Sequence, residues 1–100
     1  MILTVFRSRL RPGLDPAALE QIGARMYEVA TQMPGFISYK GFTADDGEFV
    51  SLVEFESVET LFAWREHPEH KEAQCLGRAH FFAEYQIQIA IPSRTYRFPR

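Results

Sequence analysis

The spacing of apolar positions along the chain alternates between two periods. Residues 1–10, MILTVFRSRL, are β-branched and apolar, with polar residues entering at alternate positions after Thr4, and the turn-forming RPGLDP follows. This pattern predicts a first strand. From Asp15 the period lengthens. Leu19, Ile22, Met26, Val29 and Met33 are spaced by three and four, which puts them in one stripe along a helix that faces a core. Asp15 can accept from the free amides of the first turn, Pro16 lacks the N–H that would be orphaned there, and Pro34-Gly35 end the helix.

The short period returns in GFISYKGFTA (35–44) and EFVSLVEF (48–55), separated by Asp45, Asp46 and Gly47. An Asp-Gly pair supplies the positive φ of a tight turn, so these two segments form an antiparallel hairpin. Ser57 caps a second helix, SVETLFAWRE (57–66), whose buried side is Val58, Leu61, Phe62 and the stem of Arg65. Trp64 sits about 110° around from the centre of that stripe, at its edge, where an indole can roof a cleft. Pro68 removes a backbone donor and crowds the preceding turn, which favours a fresh short helix with Pro68 at its first position. FFAEYQIQIAI (81–91) alternates, with Phe81, Tyr85, Ile87, Ile89 and Ile91 on one side and Phe82, Glu84, Gln86 and Gln88 on the other. Pro92 breaks this strand's ladder. The segment SRTYRFPR, with Tyr96 and Phe98 flanked by Arg94, Arg97 and Arg100, reads as an edge strand, as an arm across a partner subunit or as a frayed terminus.

The element order is β-α-β-β-α-β, the ferredoxin-like split βαβ arrangement, in which two helices cover one face of a four-stranded antiparallel sheet. It makes one domain over residues 1–100, with a core of 1–91 and a tail of 92–100. The other sheet face is expected to carry aliphatic and aromatic side chains from all four strands, which no element of this chain is left to cover. Two copies packed sheet to sheet would bury it, so a homodimer is expected.

Composition narrows the function classes. The chain is 46% hydrophobic and 24% charged with a net charge of -2, enough apolar material for a core. With no basic run, it has no electrostatic footprint for nucleic acid or an anionic membrane. The one cysteine, Cys75, cannot make an internal disulfide and reads as a small buried hydrophobe. The start turns polar by residue 7, unlike a secretion signal, and no apolar run reaches membrane-spanning length. A cytoplasmic protein is expected.

These residues also carry a resemblance. MPGFISYKGF entering the second strand, VEFES closing the third, W-x-x-H-P-E-H on the second helix, the GRAHFF junction and YQIQIA in the last strand resemble the antibiotic biosynthesis monooxygenase family of dimeric α+β barrels, over residues 1 to about 91. The resemblance implies a homodimer with a small-molecule cleft between helices and sheet in each subunit. It implies no one reaction, since the family includes cofactor-independent quinone-forming oxygenases, heme-degrading oxygenases and members without known activity. The heme-degrading branch uses an Asn on the first strand, a Trp on the second helix and a His just after an Ala further along. Trp64 matches, but Gln74 follows Ala73 and ILTVFRSRL holds no Asn. Gln is a poor iron ligand beside imidazole.

A cofactor-free oxygenase has to deprotonate its substrate, because dioxygen reacts sluggishly with closed-shell organics but takes an electron from a phenolate or enolate. The expectation is therefore a monooxygenase without metal, flavin or heme, acting on a small aromatic or enolisable compound. His67 or His70 would be the base, Trp64 would line the pocket, and Tyr39, Arg78 and Tyr85 would bind substrate or its anion. Competing readings are a solvated helix face for both histidines, an incomplete metal site, a surface ion pair for Arg78 and a core-capping Trp64. At the level of the protein, the alternative is a non-catalytic or stress-associated dimer that keeps the cleft.

Overall fold

The computed structural model describes residues 1–99; Arg100, at the end of the expected tail, lies outside the described residues. The elements are β1 (Ile2–Leu10), α1 (Pro16–Gln32), β2 (Phe36–Thr43), β3 (Phe49–Phe55), α2 (Val58–Arg65), α3 (Pro68–Leu76), a π turn (Gly77–Phe81) and β4 (Phe82–Ala90). The strands form one antiparallel sheet in the order β2-β3-β1-β4, a ferredoxin-like α+β fold.

The local signals act as their chemistry requires. Asp15 Oδ1 accepts from the amides of Ala17 and Ala18 at 3.0 and 3.3 Å, and Pro16 opens α1. Gly47, with φ +90°, turns the β2–β3 hairpin. Ser57 and Thr60 form a capping box at the start of α2. Gly35, with φ +79°, admits the Thr60 side chain, which would lie 2.7 Å from any Cβ there. α2 ends at Arg65 and α3 restarts at Pro68, as the sequence predicts, with His67 as its N-cap.

Cross-strand pairing sorts the sheet's side chains into two faces. The rows on the helix side run Tyr39–Val53–Thr4–Ile89, then Gly41–Ser51–Phe6–Ile87, then Thr43–Phe49–Ser8–Tyr85. Their central part is the core: Ile2, Val53 and Phe55 pack with Met26, Val29, Ala30, Leu61 and Trp64. On the other face stand Leu3, Val5, Val50, Leu52 and Phe42, together with Lys40, Gln86, Gln88 and a charged end where Arg7 pairs with Glu48 and Arg9 with Asp46.

Several expectations change. The apolar row of β4 (Tyr85, Ile87, Ile89) lies on the helix side, so the helix-free face is aliphatic on β1 and β3 and polar on β4. Phe82 does not share a side with Glu84, because a register shift at Arg9/Leu10 moves its ring to Phe6 and Tyr85, at 5.4 and 5.7 Å, and Phe81 is a buried residue of the π turn and not of the strand. On α2 the buried residues are Leu61 and Trp64, while Val58 and Phe62 are exposed and Arg65 lies over the Phe62 ring. Cys75 is exposed, not buried. The tail forms no strand over residues 91–99, and Tyr96 and Phe98 are exposed.

Candidate functional site

The residues singled out from the sequence, His67 apart, fall into two groups on the helix side of the sheet. The first is built on Trp64. Its indole, 4% exposed, stacks on Phe55 at 5.5 Å and meets Tyr39 edge-on at 6.1 Å, with the His70 ring on it at 4.3 Å. Trp64 is thus a core residue, with its Nε1 buried and unpartnered. Burial pushes the Tyr39 phenol above its ordinary value, partly opposed by the Ser51 hydroxyl.

Burial likewise pushes His70 below the ordinary imidazole value; the Arg65 carbonyl, which accepts from the ring, opposes this, and the charges of Arg65 and His67 add to it. The ring is neutral near pH 7. Its Nδ1 lies 3.0 Å from the Gln74 amide nitrogen, one helical turn on. A neutral ring that accepts there carries its proton on Nε2. His67 is used differently, since its Nδ1 accepts from the Glu69 amide at 3.2 Å and caps α3. The proline between them breaks any shared helical face, so the two imidazoles do not act as a pair.

The second group lies at the β1–β4 side. Phe6, Phe82 and Tyr85 form a triangle of rings with centroids 5.4 to 5.7 Å apart. Beyond it Ile87 and Ile89 continue the row, 38% and 43% exposed, an open apolar shelf on the face that elsewhere is core. The Arg78 guanidinium, from the π turn, donates to the Tyr85 hydroxyl at 3.2 Å and to Cys75 Sγ at 3.6 Å. The buried hydroxyls of Thr4 and Ser8, on the same face of β1, have no hydrogen-bond partner. A planar apolar compound could lie on the shelf with an oxyanion toward Arg78.

The structure therefore joins Trp64, His70 and Tyr39, and separately Arg78 and Tyr85. Tyr39 and Tyr85 lie on opposite edge strands, three strand spacings or about 14 Å apart across the sheet, and four residues or about 13 Å apart along it. A hollow of about 140 Å³ between α1 and α3, lined by Ile22, Met26, Ala73 and Leu76 and edged by the Arg25–Glu69 ion pair, holds none of these residues. Among the described residues no three His, Cys, Asp or Glu side chains gather as metal ligands, and no helix is long and apolar enough to cross a membrane.

Residues the sequence did not flag complete the second group. Arg11 holds the π turn: its guanidinium donates to the carbonyls of Phe82, Ala79 and Arg78 at 2.9, 2.8 and 2.6 Å, and its amide donates to Phe81. Gly77 lies so close to the Phe82 ring that a Cβ would sit 2.6 Å from it. Only the glycine of GRAHFF hinted at such crowding.

Comparison with known proteins agrees with the fold. The family model described as antibiotic biosynthesis monooxygenase matches residues 1–75. The chain belongs to that family. The uncharacterized protein YqjZ of Bacillus subtilis is 28% identical over 74 residues, which span 74% of this chain and 65% of that protein's length. Among solved structures, SnoaB, a cofactor-independent oxygenase from Streptomyces nogalater, superposes with a TM-score of 0.79 at 17% identity, covering 99% of this chain and 97% of its own. A dimeric ferredoxin-like protein of unknown function from Thermobifida fusca gives 0.71 at 16% identity, covering 89% and 88%. At these identities the two structures speak for the fold, and family membership rests on the sequence match.

Proposed function

We propose that this member of the antibiotic biosynthesis monooxygenase family is a cofactor-independent monooxygenase acting on a small aromatic or enolisable compound, held on the helix side of the sheet over its β1–β4 half, beside the helices. One observation carries this reading: an exposed apolar and aromatic row on the helix side ends at a guanidinium–phenol donor pair, Arg78 and Tyr85. Apolar side chains left open there add nothing to the core, and they suit a flat ligand whose anion needs a charged donor. The likeness to SnoaB, itself a cofactor-independent oxygenase, supports the same class.

In this reading the chain's residues divide the work. Arg78 and Tyr85 hold the developing oxyanion, and Phe6, Phe82, Ile87 and Ile89 exclude water from it. The base is His70, neutral at working pH, or His67; in each ring the basic nitrogen is Nδ1, which takes the substrate's proton by releasing the Gln74 or Glu69 N–H it now accepts. Trp64 and Tyr39 act behind His70 by fixing its ring. Proton removal gives an electron-rich anion; dioxygen accepts its electrons, and one oxygen atom enters the substrate while the other leaves as water.

Oxygen uptake with a panel of hydroquinones and anthrones tests this. The expected result is uptake that stops in Arg78→Ala and in the His67→Ala/His70→Ala double variant. Uptake unchanged in both would overturn it, and turnover under nitrogen would point to acid–base chemistry without oxygen. A second reading, a non-catalytic ligand-binding protein, is favoured by one observation: Gln74 already occupies the Nδ1 of His70. It predicts a ligand that raises the melting temperature and is recovered unchanged.

We also propose a homodimer through the helix-free face, supported by Leu3, Val5, Val50, Leu52 and Phe42 there and by the dimeric Thermobifida protein of the same fold. Sedimentation at micromolar concentration should return twice the chain mass.

A further inference from the structure

We infer that Arg11 is the positioning residue of this site: by bonding the carbonyls of the π turn and of Phe82 beside it, it fixes the turn that presents Arg78 to Tyr85 and the substrate. The inference rests on the reading of Arg78 and Tyr85 given above. The last carbonyls of a helix have no partner within it and present partial negative charge, so a nearby guanidinium is drawn to them. Arg11 reaches them here. Arg11, at the end of β1 beyond the register shift, sends Nε and both terminal nitrogens to the carbonyls of Phe82, Ala79 and Arg78, and its own amide binds the Phe81 carbonyl. The Phe82 amide closes the π turn on the Gly77 carbonyl. Arg78 is left with two side-chain partners, the Tyr85 hydroxyl and Cys75 Sγ.

Bridging these carbonyls requires a planar fork with donors on both sides. A lysine ammonium has its three donors on a single nitrogen and cannot match carbonyls that Arg11 reaches with three separate nitrogens. With Arg11 shortened, the π turn loses the bonds that fix it to the end of β1, and the Arg78 side chain carried on that turn loses its fixed place opposite Tyr85. A single π turn inside a helical run is an uncommon device that recurs at functional sites, and here one residue from another element holds it open.

The test uses 4-nitrophenolate and its neutral methyl ether, 4-nitroanisole, as probes of the shelf, with binding to the full chain measured by equilibrium dialysis at pH 8.5. Wild type should prefer the phenolate by about tenfold, the scale of one charge-assisted hydrogen bond. Arg78→Ala should remove that preference. Arg11→Gln should cut it to under about threefold while leaving nitroanisole binding unchanged, a charge-selective loss that collapse of the shelf would not produce. Arg11→Lys should behave like Arg11→Gln, and it carries the test if the glutamine variant fails to fold. An NMR contact between the Arg78 side chain and the Tyr85 ring, present in wild type and lost in the Arg11 variants, reads the positioning without any ligand. If Arg78→Ala removes the preference and the Arg11 variants keep both the preference and the contact, the role of Arg11 is overturned and the site stands. If Arg78→Ala changes nothing, the site reading fails instead, and the NMR contact alone decides for or against Arg11 as the residue that aims Arg78.

Discussion

The two halves of one sheet face have the same kind of side chain and different fates. Over β2 and β3, Val53 and Phe55 are 2% and 0% exposed beneath Leu61 and Trp64; over β4, Ile87 and Ile89 are 38% and 43% exposed. The residues do not explain this, since isoleucine is as apolar as valine. The difference lies in reach. α1 packs on β2 and α2 on β3, and α3 turns back toward α1 through the Arg25–Glu69 ion pair, so helical cover does not extend over the outer strand. Where cover is complete, apolar area stabilises the fold; where it stops, the same area is free for a ligand.

Truncation should separate the halves most strongly. Leu61→Ala removes a fully buried side chain and should destabilise by about 2–5 kcal/mol, whereas Ile87→Ala should cost less than about 1 kcal/mol. Urea unfolding of both variants measures the contrast, and similar losses would erase it.

The boundary between the halves is the π turn. Gly77→Ala would drive a Cβ into the Phe82 ring, and should lose about 1–3 kcal/mol by overpacking. Because Phe82 belongs to the ring triangle with Phe6 and Tyr85, the same variant should also weaken nitroanisole binding. A stability loss with binding intact would show that the turn and the shelf are independent.

These contrasts also explain what could be read from the sequence. The element order was legible because each boundary carries its own chemistry: Asp15-Pro16, Gly47, Ser57 and Pro68 sit at turns and caps whose requirements are local. The faces of α2 were not, since Val58, Leu61, Phe62 and Trp64 surround a helix of eight residues and periodicity cannot rank them. Tertiary packing chose Trp64, which stacks on Phe55, and Arg65 covers the Phe62 left outside. The side of Phe82 was hidden for a related reason, because one register shift, set by pairing with β1, reverses the alternation. For the site, His70, Tyr39, Arg78 and Tyr85 were all named from the sequence, but their division into two groups was not. Arg11, 67 residues from Arg78 in sequence, left no local trace.

On the open half, a charge should change binding more than stability. Ile87→Glu should shift unfolding by under about 1 kcal/mol, because the side chain already meets solvent, yet it should remove the protection that nitroanisole gives against thermal unfolding. A large loss of stability would mean that the shelf belongs to the core after all.

The smallest effect expected is a pH dependence confined to the closed half. Burial holds the His70 pKa below its ordinary value, with the charges of Arg65 and His67 adding to the shift. Above the ordinary imidazole pKa the folded and unfolded rings are both neutral, and pH has no influence through this group. As pH falls below that value, the unfolded chain binds a proton that the native ring refuses, so stability declines until the lowered native pKa is reached, and then levels off. His70→Gln removes the titration but keeps a polar side chain beside Gln74. The difference in urea midpoint between wild type and this variant should therefore change in favour of wild type as pH rises from 5 to 7.5. Tyr85→Phe, on the open half, should show no such trend against wild type. A difference for His70→Gln that stays constant with pH would mean that the imidazole is solvated, and that Trp64 and His70 belong to the surface and not to the covered half of the sheet.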